Sequence, residues 1–378
     1  MSGTTPTDRT LAELTAKLAE FRASPARLGL LYPPGTTLSN WAKELEREHA
    51  RAVQAPPPES AFVRAGLRSR LLVLDASFNP PTLAHAHMAK LAVRDVLAEQ
   101  RAALAGASAA PVVRPQTRLV LLLAVANADK PAAPAPLEHR LAMIYAFARR
   151  LQEELRGQGD EVPVDMALTS EPFFSGKADA LRAASWYPGA ELLPMEFIVG
   201  FDTLVRILDP KYYKGEASQT GEGAAGSGHQ EKGGVEAAAR GRRPQTPMMR
   251  ALDPFFTHAS LRVMLRPGED YGGRDAQRSY IAALGGAAQG DATGSSLDEV
   301  GGDASWMRKV HVLSDEETGG TVAEGVSSSR VRQLVHDGGP PAAQDLVHSP
   351  VLDWISRYEL YRRSRLPKGT STDDGGSG

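Results

Sequence analysis

Two short stretches carry residues whose types and spacing suit chemistry on a phosphate. In the first, Thr82 and His85 follow the turn Ala76-Ser77-Phe78-Asn79-Pro80-Pro81. Three residues apart on a helix, a hydroxyl and an imidazole share one face. The first turn of a helix leaves N–H groups unpaired and carries the positive end of the dipole, which favours an anion. A triphosphate held there would meet N–H groups, a hydroxyl and an imidazole together. A capped helix with a surface histidine is the plain alternative, and the strand and turn in front of it weigh against that. The second stretch is Val326-Ser327-Ser328-Ser329-Arg330-Val331-Arg332. Three serines at a helix start supply caps and exposed N–H groups. Arg332 lies on the face that returns towards that end, giving a second anion site with a fixed cation.

These residues need elements to hold them. Leu71–Leu74 is an apolar run, as in a strand covered on both faces. The prolines end it and suit a helix start, and the helix is expected to run from about Pro81 to about Ala98. Further strands are expected over 118–124, 162–168, 195–199, 261–265 and 309–313. Helices are expected over 137–155, 178–184, from 203, over 276–284, from 327 and over 351–361. Alternating strands and helices predict a doubly wound parallel sheet, whose ligands sit outside the carboxyl ends of the strands. Ser77–His85, Asn127–Lys130, Gly200–Asp202 and Ser327–Arg332 each follow an expected strand, so they converge on one edge.

The domain reading has three parts. Residues 1–65 form an N-terminal extension packed against the core, with helices over 10–23 and 41–53 and a strand or docking segment over 28–32. Residues 66–365 form the α/β domain. Two Gly-rich insertions, about 214–250 and 285–305, and a tail, 366–378, read as disordered.

Composition narrows the classes. The 378 residues carry a formal charge of −2 and no cysteine. That charge gives no general attraction to nucleic acid or anionic membrane. The chain offers no thiolate nucleophile or metal ligand, and His85 and His87, two apart, point away from each other, so no metal set is expected. The first residues lack an apolar signal core, and the longest apolar run is too short for a bilayer. A soluble protein of the cytosol or nucleus is expected. There is no Walker Gly-x-x-x-x-Gly-Lys and no Gly-x-Gly-x-x-Gly after the first strand.

In this order the two stretches resemble the nucleotidyltransferase superfamily. Its members carry a Gly-Ser-Phe-Asn-Pro-Pro-type turn, then (His/Thr)-x-x-His, and later Ile-Ser-Ser-Thr-x-x-Arg. Within it the chain resembles eukaryotic nicotinamide mononucleotide adenylyltransferases. Gly200-Phe201-Asp202-Thr203-Leu204 is similar to their Gly-x-Asp-x-Leu, and Pro210-Lys211-Tyr212-Tyr213-Lys214 to their Pro-x-x-Trp-Lys. His139–Met143 and Trp354–Tyr361 are similar to the family's helix after the second strand and its C-terminal helix. The insertions and extension resemble the divergent fungal promoting-filamentation branch.

The resemblance implies a Rossmann-like fold and transfer of adenylate from ATP to nicotinamide mononucleotide, giving NAD and pyrophosphate. Mg²⁺ is implied as an ion bound mainly through the ATP phosphates. Implied ATP contacts are Ser77, Phe78, Asn79, Thr82, His85, Gly200, Asp202, Ser327, Ser328, Ser329 and Arg332. His85, Thr82 and Arg332 would act on the reacting phosphates, Asp202 would accept ribose hydroxyls, and Lys130 and Tyr213 would hold the acceptor. The chain departs from the pattern at Ala76, Ser329 and Tyr213. Thr169–Phe174 has a glutamate, Glu171, but lacks the tryptophan usual near the nicotinamide pocket. ATP hydrolysis, transfer to another phosphorylated acceptor, or a nucleotide-sensing scaffold that uses its insertions to recruit a partner are the alternatives.

Overall fold

The computed structural model describes residues 5–31, 70–105, 117–125, 135–184, 194–213, 245–266, 271–286, 296–313 and 325–362. The strands are β1 (Leu28–Leu31), β2 (Arg70–Asp75), β3 (Thr117–Ala124), β4 (Val164–Thr169), β5 (Met195–Gly200), β6 (Ala259–Met264) and β7 (Val310–Val312). They form one seven-stranded sheet in the order β1-β4-β3-β2-β5-β6-β7. Every neighbouring pair is parallel except β1 with β4, which is antiparallel. The fold is therefore the expected α/β architecture, with one antiparallel edge strand.

The unbroken apolar run of β2 follows from burial on both faces. Leu72 and Leu74 enter one core with Phe147, Leu151, Trp354 and Ile355. Leu71 and Val73 enter the other with Phe197, Leu204, Phe255 and Trp306. The helices that cover these faces are α1 (Asp8–Ala23), α2 (Leu83–Ala105), α3 (Leu137–Gly157), α4 (Phe174–Ala183), α5 (Phe201–Ile207), α6 (Pro247–His258), α7 (Arg274–Leu284), α8 (Ser328–Gly338) and α9 (Ser349–Arg357).

Several expectations shift. Helix α2 continues to Ala105, past the expected end, and there buried Gln100 accepts the Thr117 hydroxyl at 3.2 Å. Helix α4 starts at Phe174, whose ring packs edge-on against Phe197. The two insertions are shorter than read from composition. Helix α6 starts at Pro247, capped by the Thr246 side chain, and buries Met248. Residues 296–309 fold back onto the sheet, burying Leu297 and Trp306, with a 3-10 turn over Ala304–Lys309. Glycine content hid both, because a few large apolar residues suffice to anchor such a segment. The extension is part of the sheet: β1 is its edge strand, and α1, capped by Thr7, buries Leu14, Leu18 and Phe21. The helix expected over 41–53 lies outside the described residues.

Candidate active site

The chain leaves β2 and β5 in opposite directions, towards β3 on one side and β6 on the other. Their carboxyl ends therefore open a crevice, the usual ligand position in a doubly wound sheet. A cleft of about 340 Å³ fills it, lined by Asp75, Ala76 and Ser77 after β2 and by Gly200 and Asp202 after β5. His85 and Arg266 line the same cleft, and so do Phe173, Lys177, Tyr212 and Tyr213.

His85 sits in the first turn of α2 with its ring chemistry already fixed. The Thr82 N–H donates to His85 Nδ1 at 3.1 Å, and the Thr82 hydroxyl lies 2.8 Å from the same atom. An acceptor Nδ1 places the neutral ring's proton on Nε2. Burial, with the Arg266 guanidinium as a second cause, pushes the imidazole down to about 4. The residue is thus a neutral N–H donor at the cleft. Phe78, fully buried, lies against it with ring centroids 5.4 Å apart.

The second helix start is joined to the first. Ser328 donates to the Pro80 carbonyl at 2.8 Å, and Arg332 Nη1 to the Asn79 carbonyl at 2.8 Å. Arg332 Nη2 donates to Ser329 Oγ at 3.1 Å. Ser327 caps α8 by accepting the Arg330 N–H. Two more groups hold the turn: Arg140 Nε donates to the Ser77 carbonyl at 2.9 Å, and the Tyr361 hydroxyl to Asn79 Oδ1 at 2.7 Å. Phe78 holds a positive φ of 46° within this bracing.

On the β5 side, Gly200 leaves room for the Asp202 carboxylate. A Cβ there would lie 2.6 Å from Asp202 Oδ1. Asp202 pairs with Arg206 at 3.1 Å, both partly exposed at the rim. Arg266 follows β6. Buried Gln277 clasps its backbone, accepting the N–H at 2.9 Å and donating to the carbonyl at 2.6 Å. Its guanidinium donates to the Val326 carbonyl at 3.1 Å, just before the serines.

No protein-family model matches the chain. Among curated proteins it is 26% identical over 294 residues to a Schizosaccharomyces pombe protein named "Putative nicotinamide mononucleotide adenylyltransferase". That match spans 77% of this chain and 86% of the relative. The chain is thus similar, over most of its length, to a protein of that name. Among solved structures, a Plasmodium falciparum nicotinic acid mononucleotide adenylyltransferase complexed with APC matches at a TM-score of 0.37 and 11% identity. It covers 78% of this chain and 98% of that one, and at that score the likeness carries no argument.

The structure sorts the residues expected at the site. His85, Ser77, Gly200, Asp202 and Tyr213 line the cleft. Thr82 is buried and reaches the cleft through His85. Phe78 and Asn79, expected against ATP, are turned into the protein. Phe78 fills the core beside Phe147, and the Asn79 side chain is buried against Tyr361. Ser327, Ser328 and Arg332 use the side-chain contacts above to cap the helix and brace the turn. Tyr213, expected to stack on a ring, donates to the Ile207 carbonyl at 2.6 Å and packs on the core. The exposed rings at the cleft are Phe173 and Tyr212, at 49% and 39%. Lys130 lies outside the described residues.

Charged residues that the motifs do not point to also line the cleft, among them Arg266, Asp75 and Lys177. Arg266 ends an apolar strand at Arg266-Pro267-Gly268, and its place at a strand's carboxyl end was the available signal. Asp75 is the last residue of β2. It pairs with Lys177 Nζ at 2.5 Å, both nearly buried and both lining the cleft. Lys177, in a helix of small residues, gave no pattern. Among the described residues no group of three or more His, Asp or Glu is arranged for a metal ion.

Proposed function

We propose that the cleft binds ATP and a pyridine mononucleotide, nicotinamide mononucleotide first among them, and joins them into NAD with release of pyrophosphate. An oxygen of the mononucleotide 5′-phosphate attacks the α-phosphorus of ATP. The bond from that phosphorus to the β-bridging oxygen breaks, and its electron pair leaves with pyrophosphate. The protein's work is alignment and charge stabilisation.

His85 donates Nε2–H to a non-bridging phosphate oxygen as negative charge builds there, with Thr82 fixing the tautomer. The N–H groups at the start of α8, with Ser328, Ser329 and Arg332, receive the β- and γ-phosphates. Asp202 accepts ribose hydroxyls above Gly200. Lys130 takes the acceptor phosphate, and the exposed rings Phe173 and Tyr212, with Tyr213 beside them in the cleft lining, meet its pyridine. Mg²⁺ carried on the triphosphate would neutralise charge on the leaving group. Such an ion would be held mainly by the phosphates, since the cleft carboxylates Asp75 and Asp202 are already paired with Lys177 and Arg206.

One observation carries this reading. Two helix starts are joined beside the switch point of the sheet by Ser328 to Pro80 and Arg332 to Asn79, and His85, from the first of them, lines the cleft. Incubating the purified chain with ATP, nicotinamide mononucleotide and Mg²⁺ tests it. NAD and pyrophosphate in equal amounts support it; no dinucleotide, with ATP still bound, contradicts it. Substitution of nicotinate mononucleotide in the same assay ranks the two acceptors. Among the described residues no helix is long and apolar enough to cross a membrane.

A second reading, ATP hydrolysis or transfer to another phosphorylated acceptor, has an observation of its own. Glu171, the glutamate nearest the expected ring pocket, turns its carboxylate to Arg27 instead. Orthophosphate release without any acceptor favours that reading.

A further inference from the structure

We propose that Arg27, in the N-terminal extension, is a positioning residue for the acceptor side of the cleft, so that the extension sets affinity for the mononucleotide and leaves ATP binding untouched. The proposal rests on the two-substrate reading above.

The wall in question is the connection from β4 to α4. Pro172, Phe173, Phe174 and Ser175 line the cleft from this segment, and Lys177 lines it one turn into α4. Arg27 grips the segment at both ends. Its carbonyl accepts the Thr169 hydroxyl at 2.9 Å and the Ser170 N–H at 3.1 Å. Its guanidinium donates through Nε to Glu171 and through Nη2 to the Gly176 carbonyl at 3.2 Å. Arg27 is itself fixed by the strand that follows it, since Leu28 is in register with Thr169 and Leu31 with Met166. Gly176 completes the fit. A Cβ there would stand 2.1 Å from Glu171 Oε2, so its absence makes the space the carboxylate occupies.

An isolated surface ion pair holds little. Here a planar two-pronged donor ties a carboxylate to a main-chain carbonyl, a geometry that lysine cannot reproduce. Phe173 is the ring that depends on it: at 49% exposure it has little packing of its own, so the course of the backbone sets where it sits. The nucleotide side is braced independently. Its turn is held by Arg140, Ser328, Arg332 and Tyr361, and Arg266 by Gln277. In the sheet order β3 stands between β4 and β2, whose end carries that turn, and β6 lies across the crevice.

The test compares the full-length wild type with Arg27→Ala and Arg27→Lys. Arg27→Ala is expected to raise KM for nicotinamide mononucleotide by about tenfold, the scale of a small misplacement at a binding wall. KM for ATP and the melting temperature stay at wild-type values. Arg27→Lys recovers part of the loss, because it keeps the charge on Glu171 and gives up the Gly176 contact. Amide exchange over 170–176 quickens in Arg27→Ala. Equal changes in both KM values, or none in either, overturn the proposal. If the wild type itself makes no dinucleotide, the two-substrate reading has failed, and exchange rates over 170–176 then decide whether Arg27 orders the wall.

Discussion

The Thr82 N–H lies 3.1 Å from His85 Nδ1, so protonating that nitrogen would set a donor against a donor. Burial and Arg266 act in the same direction, holding the ring at about 4, below the ordinary imidazole value of about 6.5. Two expectations follow at this scale. First, kcat/KM for ATP shows no titration of His85 between pH 6 and 8, and its acid limb falls at about 4. A pH–rate profile of wild type against His85→Gln checks this. Second, the unfolded chain takes up the proton more readily between those two values. Stability tied to His85 is therefore complete above about 6.5 and is lost as pH falls towards about 4. Urea midpoints should fall more steeply over that range for wild type than for His85→Gln. His85→Ala removes the donor itself and should lower kcat by about 10²–10³, as for loss of one oxyanion donor. Gly200→Ala is the steric counterpart. Its methyl meets only the end of the Asp202 side chain, so the fold should hold while ATP affinity drops, read by calorimetric titration.

At the scale of elements, the Ser77–Pro80 turn matters most. Three remote segments hold it: α3 through Arg140, α8 through Ser328 and Arg332, and the C-terminal end through Tyr361. Tyr361→Phe removes one neutral hydrogen bond from a largely buried pair and should cost about 1 kcal/mol, measured as a shift in the urea midpoint. The types and spacing of Thr82, His85 and Ser327–Arg332 made the two helix starts legible in the sequence. What those side chains touch was not, because each contact crosses between distant segments. Asn79 reads as a nucleotide contact until Tyr361 is found on it. Tyr213 reads as a stacking ring until the Ile207 carbonyl is found under its hydroxyl. Sequence spacing reports a shared helix face but says nothing of what lies opposite.

For the whole molecule, the sheet keeps stability and chemistry at separate ends. Away from the cleft, Arg262 pairs with Glu196 and, at 2.8 Å, with Glu99, and Arg70 lies 2.6 Å from Glu196. Glu196 is almost fully buried, so Arg262→Met leaves its charge half-compensated. A loss of about 3 kcal/mol in unfolding free energy is expected, with activity per folded molecule unchanged. The parallel order of the sheet was legible because strands buried on both faces are uniformly apolar. The edge strand β1 was not. Its Leu28–Leu31 run fits a strand or a docking segment equally, and only the pairing with β4 decides. That pairing is what brings Arg27 to the cleft wall. The central claim, that the two helix starts and the switch-point cleft serve one adenylyl transfer, is tested most directly with ATP labelled at the α-phosphate. The account predicts the label in a pyridine dinucleotide, with unlabelled pyrophosphate released in equal amount. Label confined to ATP, ADP or AMP, with orthophosphate as the product and no dinucleotide, would contradict it.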